Sequence, residues 1–241
     1  MRFKWLFLLV FCAAIFQFSS AQCRRVLDEN DEITRQRMEN MIKTLVEHGI
    51  CNEKVLAAMR KVARHEFIPE AYLDMHTAYG DHPCSIGHGQ TISQPYIVAY
   101  MTEKMNPQPG EKILEVGTGS GYQAAVLAEM GAEVFSIEIV KELADHADKV
   151  LKKQEYQVQV RHGDGYQGWK EHAPFSVILV TCAPEEIPTA LTDQLQVGGR
   201  MIIPVGPVNS VQRLLIIRKT ESSTIVEEDL PVRFVPMIKG N

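Results

Sequence analysis

The sequence predicts an α/β fold: a mostly parallel central sheet, helices on both faces, and a helical cap ahead of the sheet. Three observations predict it. Residues 112–121 read K-I-L-E-V-G-T-G-S-G, an apolar run that breaks into a glycine-rich turn. Ala124, Ala125, Val126, Leu127 and Ala128 then continue in a helical pattern, so strand, glycine loop and helix follow one another. Further on, short apolar runs alternate with amphipathic helical stretches, the pattern of parallel strands joined by helical crossovers.

The first 21 of the 241 residues stand apart from that fold. Arg2 and Lys4 form a basic head, Trp5 to Phe16 is almost unbroken apolar sequence, and Ser19 and Ala21 are small residues placed for cleavage after Ala21. This is the pattern of a secretory signal peptide, too short for a comfortable membrane span. An uncleaved N-terminal anchor is the alternative; a lipid on Cys23 is disfavoured by Gln22 before it. The expected organisation is therefore a signal peptide at 1–21 and a single domain at 22–241. Within that domain, 32–110 would form the helical cap and active-site loop, and 111–241 the sheet. Export points to the periplasm, with a cytoplasmic location if export fails.

Composition narrows the function. The hydrophobic share of 45% is that of a globular chain with a real core. The net charge is −5, and losing residues 1–21 removes two of the 25 basic residues and none of the 30 acidic ones. An acidic excess argues against a nucleic-acid partner, and no membrane partner is expected after cleavage. Cys12 leaves with the signal, so Cys23, Cys51, Cys84 and Cys182 remain. They show no C-x-x-C and no metal-ligand spacing, so neither a disulfide nor a metal site is assigned. Cys182 closes an apolar run and reads as a buried thiol.

In chain order, Met38, Met41, Ile42, Leu45 and Val46 recur at helical spacing until Gly49. Asn52 reads as the N-cap of a second helix with Val55, Leu56, Met59, Val62 and Ala63 inward. Tyr72 to Gln90 has no period and reads as a long loop, a place where function concentrates. Its His76, His82 and His88 share no helix or strand face, so hydrogen-bonded or solvated histidines are expected rather than ligands. Pro95 suits the first turn of a helix, with Ser93 or Gln94 just outside it, through Ile97, Val98, Met101 and Met105. From spacing alone Ser93 is an N-cap.

The glycine loop needs its own reading. Its glycines stand at 117, 119 and 121, not at the G-x-G-x-x-G spacing of dinucleotide loops. Glu115 precedes the loop, and Glu138 ends the next apolar run, placed to take both hydroxyls of a ribose. Leu143, Ala144, Ala147, Val150 and Leu151 then make a helix, and Val158 and Val160 a third strand. Asp164, in the turn after it, can accept from an adenine amino group or simply close an Asx turn. F-S-V-I-L-V (175–180) is a central strand with Thr181 at its tip. Ile187, Ala190, Leu191 and Leu195 form the next helix, capped by Gly198-Gly199. Residues 201–205, 214–217 and 232–235 are the last strands. Gly117, Glu138, Asp164 and Thr181 all fall at carboxyl ends of strands, where ligands of such sheets lie. No G-x-S-x-G or H-E-x-x-H occurs, so hydrolase chemistry has no support.

Several segments together resemble the bacterial protein-L-isoaspartate O-methyltransferases. They are G-Q-T-I-S-Q-P-Y-I-V-A (89–99), I-L-E-V-G-T-G-S-G-Y-Q-A-A-V-L-A (113–128), G-D-G-Y-Q-G-W (163–169), V-T-C-A-P-E-E-I-P (180–188), Q-L-Q-V-G-G-R (194–200) and R-F-V-P (233–236). The similarity covers about residues 35 to 240. The loop alone resembles only the wider superfamily of S-adenosylmethionine-dependent methyltransferases, of Rossmann-like fold; T-I-S-Q-P and F-V-P are far more specific. The resemblance implies methyl transfer from S-adenosylmethionine to the α-carboxylate of L-isoaspartyl residues in damaged proteins, followed by collapse to a succinimide. It implies Ser93 as the active-site serine. It implies Glu115, Gly117, Thr118, Gly119, Ser120, Gly121, Glu138, Asp164, Gly165 and Thr181 around the cofactor. It places Thr91, Ile92, Gln94, Arg233, Phe234 and Val235 along the peptide. A monomer is expected. A same-fold methyltransferase of small molecules, or an exported binding protein without turnover, are the competing readings. Two features depart from the family: Ser85 replaces its usual proline before I-G, and a cytosolic cofactor fits awkwardly with a signal peptide.

Overall fold

The computed structural model describes residues 31–208 and 210–240. The chain divides into two units, residues 1–40 and 41–241. In the first, residues 31–40 are helical, and Gln36 Nε2 donates to Asn40 Oδ1 at 3.1 Å. The signal-peptide segment 1–21, its flanking Cys23 and Cys12 lie outside the described residues.

In the second unit, residues 41–47 are helical (α1), with Met41, Ile42 and Leu45 buried. Helix α2, Glu53–Lys61, starts as its sequence dictates: Asn52 Oδ1 accepts the N–H groups of Lys54 at 3.0 Å and Val55 at 3.4 Å. The stretch read as a loop contains a β-hairpin instead. Strand β1, Cys84–Gly87, pairs antiparallel with β2, Gln90–Ile92, across His88 and Gly89, both at positive φ. A histidine at that position hid the turn, since such a conformation favours glycine. Helix α3, Pro95–Met105, then ends at Asn106 in the left-handed conformation.

The sheet follows: β3 Lys112–Val116, α4 Tyr122–Glu129, β4 Glu133–Glu138, α5 Lys141–Lys153, β5 Val158–His162, β6 Phe175–Val180, α6 Thr189–Gln194, β7 Leu195–Val205, β8 Gln212–Lys219 and β9 Thr224–Val232. The strand order is β5-β4-β3-β6-β7-β8-β9. The first five are parallel, and β8 and β9 are antiparallel additions. Ile113, Leu114 and Val116 are all buried although successive strand residues face opposite sides. The sheet is therefore covered on both faces, as parallel strands require.

Two boundaries differ from the sequence reading. Helix α6 ends at Gln194, and Leu195 already opens β7, so Gly198-Gly199 is not a helix cap but an irregularity within that strand. The last strand lies earlier than 232–235: β9 ends at Val232, and residues 233–236 leave the sheet. Alternation in 224–231 is masked by exposure, because Thr224 to Glu228 are all exposed on the sheet edge.

Candidate active site

Strand β3 neighbours β4 on one side and β6 on the other, so the chain leaves it in opposite directions and opens a crevice at its carboxyl end. A cleft of about 760 Å³, counted with its open mouth, occupies that place.

The glycine loop forms its floor. Gly117, Gly119 and Gly121 all adopt positive φ, at 98°, 52° and 87°. Gly117 is required twice over, because a Cβ there would stand 2.5 Å from Thr181 Oγ1. That hydroxyl donates to Gly117 O at 2.6 Å and ties the tips of β3 and β6 together. The loop is pinned to β4 as well: the N–H groups of Gly117 and Thr118 both donate to Ile137 O, at 2.8 and 3.1 Å.

The two acids flanking the loop differ in state. Glu138 is buried, and both its oxygens accept backbone N–H groups: Oε2 from Gly119 at 2.8 Å and Oε1 from Val140 at 2.9 Å. Each oxygen keeps a further lone pair for a ligand. Glu115 is fully buried; Ser136 donates to its Oε2, and Thr118 Oγ1 meets Ser136 Oγ at 2.6 Å. Its Oε1 has no hydrogen-bond partner among the described residues. Burial pushes this carboxyl up to about 8, with the Ser136 bond pulling down and Glu138 pushing up. It is thus a protonated carboxylic acid at neutral pH. Burial likewise pushes the neighbouring Cys182 thiol well up.

The facing wall comes from the hairpin and the C-terminal segment. Gln90, Thr91, Ile92 and Ser93 line the cleft on one side, Val235 to Ile238 on another. Ser93 does not cap α3. Asp81 does so from a distance, Oδ1 accepting the N–H of Tyr96 at 2.8 Å while Oδ2 accepts Gln94 Nε2 at 2.9 Å. The Ser93 hydroxyl therefore stays free to face the cleft, and makes no hydrogen bond among the described residues.

Among the sequence-selected residues, the cleft brings together Thr91, Ile92, Ser93, Glu115, Gly117, Thr118, Gly119, Ser120, Glu138, Gly165, Thr181 and Val235. Gln94, Gly121, Asp164, Arg233 and Phe234 do not line it. Gln94 is turned to Asp81; Gly121 is the N-cap residue of α4. Asp164 closes its Asx turn, Oδ1 accepting the Tyr166 N–H at 2.8 Å. Phe234 donates its N–H to Gln212 Oε1 at 2.9 Å, and Arg233 is exposed. The sequence reading missed Met237 and Ile238. The segment is held by Ala183, whose N–H donates to Val235 O and whose C=O accepts from Met237, both at 2.8 Å. An apolar V-P-M-I tail after the last strand was the available signal. No group of three metal-ligating side chains occurs among the described residues.

The cleft fits a nucleoside-bearing sulfonium. Bare glycine backbone gives close approach, Glu138 offers acceptors to hydroxyls, and the orphan Glu115 oxygen is a polar atom awaiting a partner. Such a crevice in such a sheet defines a Rossmann-like, S-adenosylmethionine-dependent methyltransferase. The chain belongs to the protein-L-isoaspartate(D-aspartate) O-methyltransferase family, whose family model matches residues 36–241.

Its relatives agree. A protein-L-isoaspartate O-methyltransferase of Gloeobacter violaceus is 55% identical over 192 residues, covering 79% of this chain and 93% of the relative. One from Opitutus terrae is 50% identical over 207 residues, 86% and 88% of the two chains. A solved structure described as a beta-aspartate methyltransferase from Plasmodium falciparum, in complex with S-adenosyl-L-homocysteine, shares 28% identity. Its TM-score is 0.74, over 84% of this chain and 99% of that one. Another solved protein-L-isoaspartate O-methyltransferase gives a TM-score of 0.76 at 27% identity; the match covers 83% of this chain and 65% of that chain.

Proposed function

We infer that this chain is a repair methyltransferase, transferring a methyl group to the α-carboxylate of L-isoaspartyl residues in damaged proteins. The ester then collapses to a succinimide, and water reopens the ring. When bound, S-adenosylmethionine supplies the electrophilic methyl group. The acceptor carboxylate is already ionised at neutral pH, so the protein needs no general base. What it contributes is positioning. One observation carries this reading: Ser93 and the glycine loop line the same cleft, with the serine hydroxyl left free by Asp81.

We assign the residues accordingly. Ser93 orients the acceptor carboxylate by donating a hydrogen bond. Glu138 takes the ribose hydroxyls, and Gly117 to Gly121 lie against the methionine portion. Glu115 and Ser120 shape the floor beneath it, and Thr181 and Gly165 its rim. Asp164 approaches the adenine from the cleft edge. Thr91, Ile92 and Val235 border the peptide, which Arg233 and Phe234 meet outside the cleft; Gln94 acts through Asp81. Extended backbone beside an open cleft suits reading by main-chain hydrogen bonds, and loose sequence preference follows.

The test uses labelled S-adenosylmethionine with matched isoaspartyl and aspartyl peptides. Base-labile methyl ester on the isoaspartyl peptide alone is the expected result. Transfer to small carboxylates but to neither peptide would favour a small-molecule enzyme; cofactor binding without any transfer would favour a binding protein. We also propose export through cleavage after Ala21, and action as a monomer. The basic head and apolar run of residues 1–21 support the first. N-terminal sequencing of the protein from its host, returning Met1 instead of Gln22, would refute export. No helix among the described residues is long and apolar enough to cross a membrane.

A further inference from the structure

Away from the cleft, a buried cation lacks an anion. Arg64 has no exposed surface, and its Nε donates to Ala78 O at 2.8 Å. Its Nη1 and Nη2 meet no geometrically complete hydrogen-bond partner among the described residues. Its Cζ lies over the Tyr122 ring, 5.1 Å from the centroid. A guanidinium in such a place ordinarily has a carboxylate, because an unpaired buried charge is costly.

Three side chains beside it could carry a negative charge: Tyr79, Tyr122 and Cys84. Neither phenol does so. Burial raises Tyr79 to about 12 and pushes Tyr122 higher still. Cys84 is different in kind, because its sulfur can be converted to an anion by oxidation. The thiol stands close enough to act on the guanidinium charge. It is half-buried, so a small oxidant reaches it. His82 Nδ1 lies 3.8 Å from the sulfur, and Thr77 O 3.9 Å.

We propose that Cys84 is a site of oxidation by hydroperoxides, and that Arg64 is the buried cation built to receive the anionic product. The Cys84 sulfur, its proton released to solvent, attacks the terminal peroxide oxygen. A sulfur–oxygen bond forms as the oxygen–oxygen bond breaks, and the departing alkoxide or hydroxide takes a proton from water. Sulfur is oxidised and the peroxide reduced to alcohol or water. A second peroxide repeats the step on the sulfenate and leaves a sulfinate. Two sulfinate oxygens match the forked guanidinium donors as a carboxylate would.

Exposure alone predicts the opposite order of reactivity, since Cys51 is the exposed thiol among the described residues. Cys182 is no competitor, because burial beside the cleft floor holds its sulfur in the protonated form. The full chain is treated with limiting hydrogen peroxide, and its peptides are weighed for added oxygen. Loss of the Cys84 thiol ahead of the Cys51 thiol is expected, with product holding at two oxygens. Oxidation of Cys51 first, or at the same rate, overturns the proposal. A second measurement needs no oxidant. Cys84→Asp places a permanent carboxylate before Arg64, whereas Cys84→Asn is its neutral counterpart. The aspartate protein should melt about 2–4 °C above the asparagine one. An aspartate protein that melts at or below it, or fails to fold where the asparagine one folds, also overturns the proposal.

Discussion

Glu138 holds Gly119: the carboxylate at the tip of β4 accepts the N–H at the centre of the glycine loop at 2.8 Å. The same side chain fixes its own turn through the Val140 N–H. The residue proposed for the ribose thus also sets the loop proposed for the rest of the cofactor. Glu138→Gln should therefore do more than remove a charge. One end of the amide becomes a donor facing a backbone donor, an unsatisfied pairing of about 1–3 kcal/mol. Affinity for S-adenosylmethionine, measured calorimetrically, should fall about tenfold or more. Unchanged affinity would remove Glu138 from the site.

Ser93→Ala should separate turnover from cofactor binding. The hydroxyl has no partner within the described protein, so its loss leaves the fold and melting temperature intact. A hydrogen bond to the ionised acceptor carboxylate is worth about 1.5–3 kcal/mol, so kcat should drop about tenfold to a hundredfold. The dissociation constant for S-adenosylmethionine should hold. Equal loss of both would show that Ser93 faces the donor and not the acceptor.

How far these residues could be read beforehand follows from the range of the forces involved. The glycine loop was legible because its chemistry is local: only residues lacking Cβ accept those backbone angles. Asn52 was legible for the same reason, its cap being two and three residues away. Asp81 was not, since its service to Tyr96 spans 15 residues and depends on how the hairpin folds back. Without it Ser93 reads as a cap, and the free hydroxyl is invisible. The wall made by Met237 and Ile238 was hidden likewise, because it rests on a two-bond clasp with Ala183, far away in the chain. Asp164 remained ambiguous, and the Asx turn is what its side chain forms.

Glu115 predicts a pH dependence of stability. Its carboxyl rises from an ordinary 4.5 to about 8 in the folded protein, chiefly through burial. Between those values the folded chain holds a proton that the unfolded chain has released. Rising pH therefore favours unfolding across that window, and the loss is complete above about 8. Glu115→Gln cannot ionise and should abolish this contribution. Urea titrations from about pH 5 to about pH 8 should show the variant gaining on the natural protein as pH rises. A constant difference over the window would mean that Glu115 is ionised in the fold.

Asp164 offers a choice between two substitutions. Its Oδ1 caps the turn through Tyr166, and the next residue in the chain, Gly165, lines the cleft. Asp164→Ala removes the cap, a loss of about 1 kcal/mol that lowers the melting temperature by about 2–4 °C. Asp164→Asn can keep the Tyr166 bond through its carbonyl oxygen, so its melting temperature should stay. The remaining atom then becomes an amide nitrogen, a donor where an adenine amino group would need an acceptor. The asparagine variant should therefore bind S-adenosylmethionine about tenfold more weakly while folding normally, since an unmatched donor pair costs on the order of 1–3 kcal/mol. If it titrates like the natural protein, the turn is the whole of its role, and the adenine must be read by other groups.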